Sequence, residues 1–378
     1  MNPNSADGLS SGTEDGQEIK SLSMFSHPYN KTITMAAIAK AAGVSQGAIS
    51  SLLNDRDYGI RVSEKTRKRV FKACRELGYI PNDLRAVVRM YPELGDLCLL
   101  VSGSIADWAI NPFFARVLKG AIGASSAAMR HITLAEYDEN ADYLENPDLL
   151  PSPIRSGTAS KFICIGTMNF SLVQALLKRD FPVVFLGCDV SIPGVTTVQA
   201  DYAEASKLAV DHLLKAGHRH IAIVSGPFGS EDHAIAELNR GIRLCYEHSG
   251  IPFDTQNIIH GDLSFKSGAA AIDVLFSRNQ KPTAVFCLSD EAAAGAWSRA
   301  QSLGLKVPGD LSIVGCADEP IASQLNLTTI HLPAEEIGAQ AVKDVESRVL
   351  KGTLLESRKI VLPVHSIERK STASAISA

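Results

Sequence analysis

After Pro92 the chain carries seven short apolar runs, at 97–101, 132–135, 162–165, 183–186, 221–224, 284–288 and 311–314. Helix-length segments such as PFFARVLKGAIGASSAAM, SLVQALLKR, EASKLAVDHLLKAG and DEAAAGAWSRAQSLG separate most of them. Strands that alternate with helices join in parallel, because the crossover helices cover both sheet faces. The stretch 95–370 is too long for one sheet of ordinary size. Two doubly wound parallel-sheet α/β lobes are therefore expected, with ligands favoured at the strand C-terminal ends that face the cleft.

Ahead of this region the pattern is all-helical. Thr34 is a candidate N-cap for MAAIAKAA, which stops at Gly43; Ser45 restarts a short helix, QGAISSLL. Ser63 caps EKTRKRVFKACREL, with Gly78 just past its end. Ile38, Val44, Ile49, Leu52, Val70, Phe71 and Leu77 supply a small core for these three helices. The expected organisation is a disordered tail over 1–31, a helical headpiece over 32–80 and a linker over 81–94. The two-lobed core then spans 95–370, and a C-terminal tail covers 371–378.

Charge divides the chain the same way. Residues 31–91 hold twelve Lys or Arg against five Asp or Glu, a balance of +7, while the whole chain carries −4. A basic module on an acidic body suits one part meeting a polyanion. The polar, acidic start MNPNSADGLSSGTEDGQEIK has no apolar core of a secretory signal, and no run approaches a membrane span, so a cytoplasmic protein is expected. The seven cysteines are scattered, without CxxC spacing, and read as buried free thiols. No metal or cofactor is indicated. GxGxxG after a strand, a P-loop, HExxH and GxSxG are all absent from the sequence, which speaks against the common enzymes of doubly wound folds. The headpiece speaks against a stand-alone solute-binding protein.

In ITMAAIAKAAGVSQGAISSLLN, Gly43 gives the φ-permissive turn, Val44 plugs the junction and the alanines let two helices approach closely. Gln46, Gly47, Ser50 and Ser51 face away from Ile49 and Leu52, as a groove-facing surface requires. Read alone, this segment is also compatible with a plain αα-hairpin.

The motifs are more specific than that. IAKAAGVSQGAISSLLN followed by VSEKTRKRVFKACRELGYIPN resembles the headpiece signature of the lactose-repressor (LacI/GalR) family. NPFF (111–114), GHRHIAIVSG (217–226), VPGDLSIVG (307–315) and LTTIHLP (327–333) follow in the family's order. The resemblance runs from about Ile33 to about Leu362. It implies a sequence-specific DNA-binding regulator, acting as a repressor. A homodimer, or a dimer of dimers, would sit on a pseudo-palindromic operator while a small-molecule effector between the lobes shifts DNA affinity. No leucine heptads mark the C-terminus, which favours the dimer. The resemblance places Thr34, Ser45, Gln46, Gly47, Ser50, Ser51, Asn54 and Asn82 at the DNA.

The departures from the family matter as much. Ser51 stands where Arg is frequent and cannot make the bidentate contact to guanine, whereas Gln46 can read adenine. Gly47 permits close backbone approach, or is helix filler. DRDYGIR (55–61) is longer than usual. Its Arg56 and Arg61 reach phosphates, unless Asp55 and Asp57 hold them back. In PNDLRAVVRM (81–90) Val88 takes the position of the family's minor-groove leucine wedge, and Arg85 replaces a small residue. At the effector positions Gly187, Leu238 and Ala317 replace charged anchors, so a simple sugar would bury unpaired hydroxyls. Phe113, Phe114, Ser289, Asp290 and Asp318 remain as effector candidates. The two phenylalanines stack on a ligand ring or fill the core; Asp290 meets ligand or caps its helix. Glu237 or Arg240 can reach inward if the alignment near Leu238 shifts.

Overall fold

The computed structural model describes residues 33–54, 62–81, 84–189, 191–229, 232–351 and 356–375. Arg56, Arg61 and Asn82, and the expected tail over 1–31, lie outside the described residues. The chain divides into two units, Met1–Ile80 and Pro81–Ala378.

In the first unit α1 (Met35–Ala42), α2 (Gln46–Asn54) and α3 (Glu64–Leu77) form as the capping residues dictate. Thr34 Oγ1 accepts from the Ala37 amide at 3.2 Å, Ser45 Oγ from Ala48 at 3.2 Å and Ser63 Oγ from Thr66 at 3.2 Å. Gly43, at φ 62°, closes α1 in the left-handed region, where a Cβ would add strain. Ile38, Ile49 and Val70 are buried as expected. Leu53 and Cys74 join them, whereas Leu77 is 39% exposed and Val44, Leu52 and Phe71 are only half-buried. Burial pushes the Cys74 thiol up to about 11, as an inert core sulfhydryl should be.

The second unit opens with α4 (Leu84–Met90), followed by a short 3₁₀ turn, Pro92–Leu94. The first lobe is a parallel sheet of β1 (Asp96–Ser102), β2 (Ile132–Tyr137), β3 (Ala159–Ile165), β4 (Val183–Leu186), β5 (Val195–Ala200) and β11 (Lys359–Leu362). The second sheet holds β6 (Ile221–Ser225), β7 (Ile258–His260), β8 (Ala284–Cys287), β9 (Ser312–Ala317), β10 (Thr328–His331) and β12 (His365–Ile367). Strand orders are β11-β5-β4-β3-β1-β2 and β12-β10-β9-β8-β6-β7, all parallel except β12. The helices are α5 (Ile105–Ala109), α6 (Pro112–Ala127), α7 (Ser152–Ser156) and α8 (Phe170–Leu177), then α9 (Tyr202–Lys215), α10 (His233–Ser249), α11 (Phe265–Phe276), α12 (Asp290–Ser302), α13 (Pro320–Leu325) and α14 (Ala334–Lys351). The chain passes between lobes after β5, after β10 and after β11, so no single cut separates them.

All seven apolar runs become strands, their interiors buried on both faces apart from the half-buried β2. The close approach of α6 and α14 depends on paired glycines: a Cβ at Gly120 would lie 1.8 Å from the Glu335 carbonyl, and one at Gly338 2.0 Å from that of Val117. The expected C-terminal tail is corrected over its described part. Ser371 is fully buried, its hydroxyl donating to the Ile313 carbonyl at 2.6 Å and accepting from the Thr328 amide at 2.7 Å. The Ala373 carbonyl bonds His218 Nε2 at 3.0 Å, which makes 371–375 a strap across the second lobe.

Candidate DNA interface and effector junction

The turn between α1 and α2 is fixed from both sides. Arg69 Nη2, from α3, donates to the Gly43 carbonyl at 3.3 Å, and the Val44 amide bonds the Ala39 carbonyl at 3.0 Å. Thr34, Ser45, Gln46 and Gly47 are exposed, Ser50 and Ser51 are half-buried, and Asn54 ends α2. The first turn of α2 therefore projects from a packed base formed by Ala48, Ile49 and Leu53. The linker forms the helix α4, and Val88 on it is 3% exposed, its Cγ1 packed against Gly95 and beside Ser160. A minor-groove role for Val88 requires that packing to open.

Several effector candidates prove to be spent inside the protein. Phe114 is 1% exposed and packs edge-on against Trp108, with ring centroids 5.4 Å apart. Leu238 is buried, and its carbonyl accepts from Ser206 Oγ at 2.6 Å. Glu237 and Arg240 pair with each other at 2.6 Å. Ser289 caps α12 through the Ala292 amide at 3.1 Å and donates to the Leu263 carbonyl at 2.7 Å.

Asp290 is completely buried. Its Oδ1 accepts from the Thr329 hydroxyl at 2.5 Å and its Oδ2 from the Glu319 amide at 2.7 Å. Burial pushes its carboxyl up to about 6. A Cβ at Gly315 would collide with Oδ1, at 2.1 Å, so the carboxyl ties α12 to β9, β10 and the start of α13. Phe113 is half-buried and packed against the core, whereas Gly187 keeps space where a Cβ would stand, 3.7 Å from the Tyr202 hydroxyl.

Between the lobes, Arg116 on α6 reaches across to β9. Its Nη1 donates to the carbonyls of Ala317 and Asp318, at 2.8 and 3.1 Å. These two residues lie at φ 117° and 55°, a strained backbone where β9 ends. Asp318 is held by Arg369 Nη2 at 2.7 Å and His331 Nδ1 at 3.2 Å. Burial raises its carboxyl, but those two partners outweigh it and keep the group below its usual range. Around this crossing lies a depression of about 540 Å³, walled by Pro112, Ala115 and Lys119 on one side and by Glu319, Pro320 and Ser323 on the other.

A headpiece of this kind on a two-lobed core has close counterparts. Residues 34–82 match bacterial regulatory proteins of the lacI family, and residues 210–372 match the periplasmic binding protein-like domain. Catabolite control protein A of Priestia megaterium is 31% identical over 343 residues, 90% of this chain and 99% of the relative. The chain belongs to the lacI family of bacterial regulatory proteins. The transcriptional repressor CytR of Escherichia coli K12 is 31% identical over 82% of the chain and 87% of the relative. Among solved structures, the CelR–cellobiose complex superimposes with a TM-score of 0.63, at 27% identity over 90% of this chain and 99% of that one.

Within this lacI-family framework the chain is a DNA-binding transcriptional regulator with an effector-binding core. Arg69, Arg116, Glu319 and Arg369 were not singled out from sequence. Arg69 read as one more cation of a basic helix. A signal for Arg116 did exist: it follows Phe113 by one helical turn, on the side of α6 that begins at NPFF. Among the described residues no His, Cys, Asp and Glu cluster is arranged to hold a metal ion, and no helix is long and apolar enough to cross a membrane.

Proposed function

We propose that this lacI-family regulator represses transcription as a homodimer, reading each half of a pseudo-palindromic operator with the first turn of α2. The observation that carries the reading is the exposure of Gln46 and Gly47 on a capped, internally packed helix within the basic unit. Gln46 pairs with the N6 and N7 edge of an adenine, and Gly47 lets the backbone approach the groove floor. Thr34, Ser45, Ser50, Ser51, Asn54 and Asn82 complete the contact surface. Arg56 and Arg61 neutralise phosphates, and Val88 enters the minor groove once α4 opens. A nine-residue helix is roughly 13 Å long and meets only a few base pairs, so genomic specificity calls for two headpieces on one operator.

The lobe junction, lined in part by Asp318, takes a small effector, to which we also assign Phe113 and Gly187, and whose binding alters the setting of the lobes and with it operator affinity. We place this chemistry in the cytoplasm, beside the DNA, and assign the chain no enzymatic step. Operator binding by the full chain, followed by fluorescence anisotropy across a salt series, tests the reading. Each phosphate contact contributes a slope of about −0.9 in log affinity against log salt. A chain lacking residues 1–80 is expected to lose operator binding. Salt-independent affinity, or binding retained by the truncated chain, contradicts the proposal.

A further inference from the structure

The charges lining the junction depression do not all cancel. Lys119 Nζ pairs with Glu335 at 2.9 Å, and Arg369 pairs with Asp318 at 2.7 Å. Arg116 and Glu319 are left over. Arg116 spends only Nη1 on the two backbone carbonyls, and its Nε and Nη2 form no hydrogen bond among the described residues. Glu319 is 7% exposed and lines the depression, yet its carboxyl accepts no hydrogen bond and joins no ion pair among the described residues. Neither of its oxygens is sealed from solvent, so water reaches them through the depression and a ligand can take that water's place.

We propose that the depression binds a small zwitterion of the α-amino-acid type, its ammonium on the Glu319 carboxylate and its carboxylate on the open edge of Arg116. This rests on the reading of the junction as the effector site and names the class of effector. A simple cation would satisfy Glu319 but meet the Arg116 guanidinium. A simple anion would reverse the difficulty. A zwitterion satisfies both without adding net charge to a wall whose other charges are already paired. Pro112, Ala115 and Pro320 provide an apolar wall for a side chain. Because Arg116 belongs to the first lobe and Glu319 to the second, the ligand's two charges clasp the lobes together.

Protonation gives the proposal a signature. Burial, with the charges of Asp290 and Glu291 on α12, pushes the Glu319 carboxyl up to about 7, against the pull of Arg116. The other titratable groups around the depression, Asp318, Glu335 and His331, are turned to Arg369, Lys119 and Asp318. An ammonium binds the ionised carboxyl, so affinity rises as Glu319 loses its proton. That is roughly a tenfold gain between pH 6 and pH 8.

Calorimetry of the full chain against the common L-amino acids, with propionate and propylamine as single-charge controls, tests this. At least one amino acid is expected to bind, with each control at least about tenfold weaker. Its affinity should rise with pH as stated. Glu319→Gln should weaken it by at least about tenfold and flatten the pH profile, and Arg116→Gln should weaken it with the profile intact. Binding by none of the amino acids, equal binding of a control, or a flat profile in the parent protein overturns the proposal. Operator anisotropy on the same preparations separates the two levels. Operator binding intact and indifferent to every amino acid sinks only the ligand class, whereas no operator binding under any ligand condition sinks the regulator reading itself.

Discussion

Replacing Asp290 distinguishes a structural tie from an effector contact. The buried carboxyl accepts two hydrogen bonds and titrates near 6 rather than at 3.8. A raised carboxyl means that the folded protein holds the proton more tightly than the unfolded chain does. The stability it adds is fully present below pH 3.8 and is lost as pH rises through 6. At about 1.4 kcal/mol per pH unit, the whole window is worth about 3 kcal/mol, of which about 1.4 kcal/mol falls between pH 5 and pH 8. Asp290→Asn keeps the shape and cannot ionise, so the parent should lose about 1.4 kcal/mol relative to it across that interval. Asp290→Ala strands the Glu319 amide and the Thr329 hydroxyl, at about 1–3 kcal/mol each. Its cost should be about 2–6 kcal/mol at pH 5 and smaller at pH 8. Urea unfolding followed by tryptophan fluorescence is the assay, since both tryptophans, Trp108 and Trp297, lie in the second unit. An alanine variant as stable as the parent, with the asparagine variant parallel to it in pH, would refute the tie and return Asp290 to the effector.

Gly43→Ala should destabilise the headpiece by about 1–2 kcal/mol through backbone strain alone, because the nearest atom to the new Cβ is 3.9 Å away. Circular dichroism melting of the isolated headpiece measures it. Ser371→Ala should cost the core about 2 kcal/mol, since a buried amide and carbonyl lose one shared partner, and removal of residues 371–375 should cost more. An unchanged urea midpoint would make that segment a tail after all. Gly338→Ala should push α14 off α6, lowering stability by about 1–3 kcal/mol and weakening the effector response with it.

The elements that announced themselves in the sequence are those with one dominant physical cause. The apolar runs at 97–101 and 162–165 became central strands because a parallel strand covered by helices is apolar on both faces. Thr34, Gly43, Ser45, Ser63 and Gly78 marked helix ends because capping is local chemistry. β5, reading VTTVQA, carried no such signal: its threonines and glutamine are buried by tertiary packing that no local pattern records. β12 is three residues long and pairs antiparallel at an edge. Ser371 looked like tail because its hydrogen-bond partners lie 43 and 58 residues away. The exposure of the first turn of α2 was legible for the same local reason as the caps. The lobe junction was not, since Phe114, Leu238 and Asp290 took inward positions set by neighbours distant in sequence. The open charges of Arg116 and Glu319 emerge only when the two lobes meet.

The central claim is that the first turn of α2 reads bases. Selection of binding sites from random DNA by the full chain and by Gln46→Ala tests it most directly. The account predicts a two-fold symmetric consensus for the parent. In the variant, one position of each half-site should relax, at a cost of roughly 1–3 kcal/mol, with the rest unchanged. An identical consensus from both proteins would contradict it.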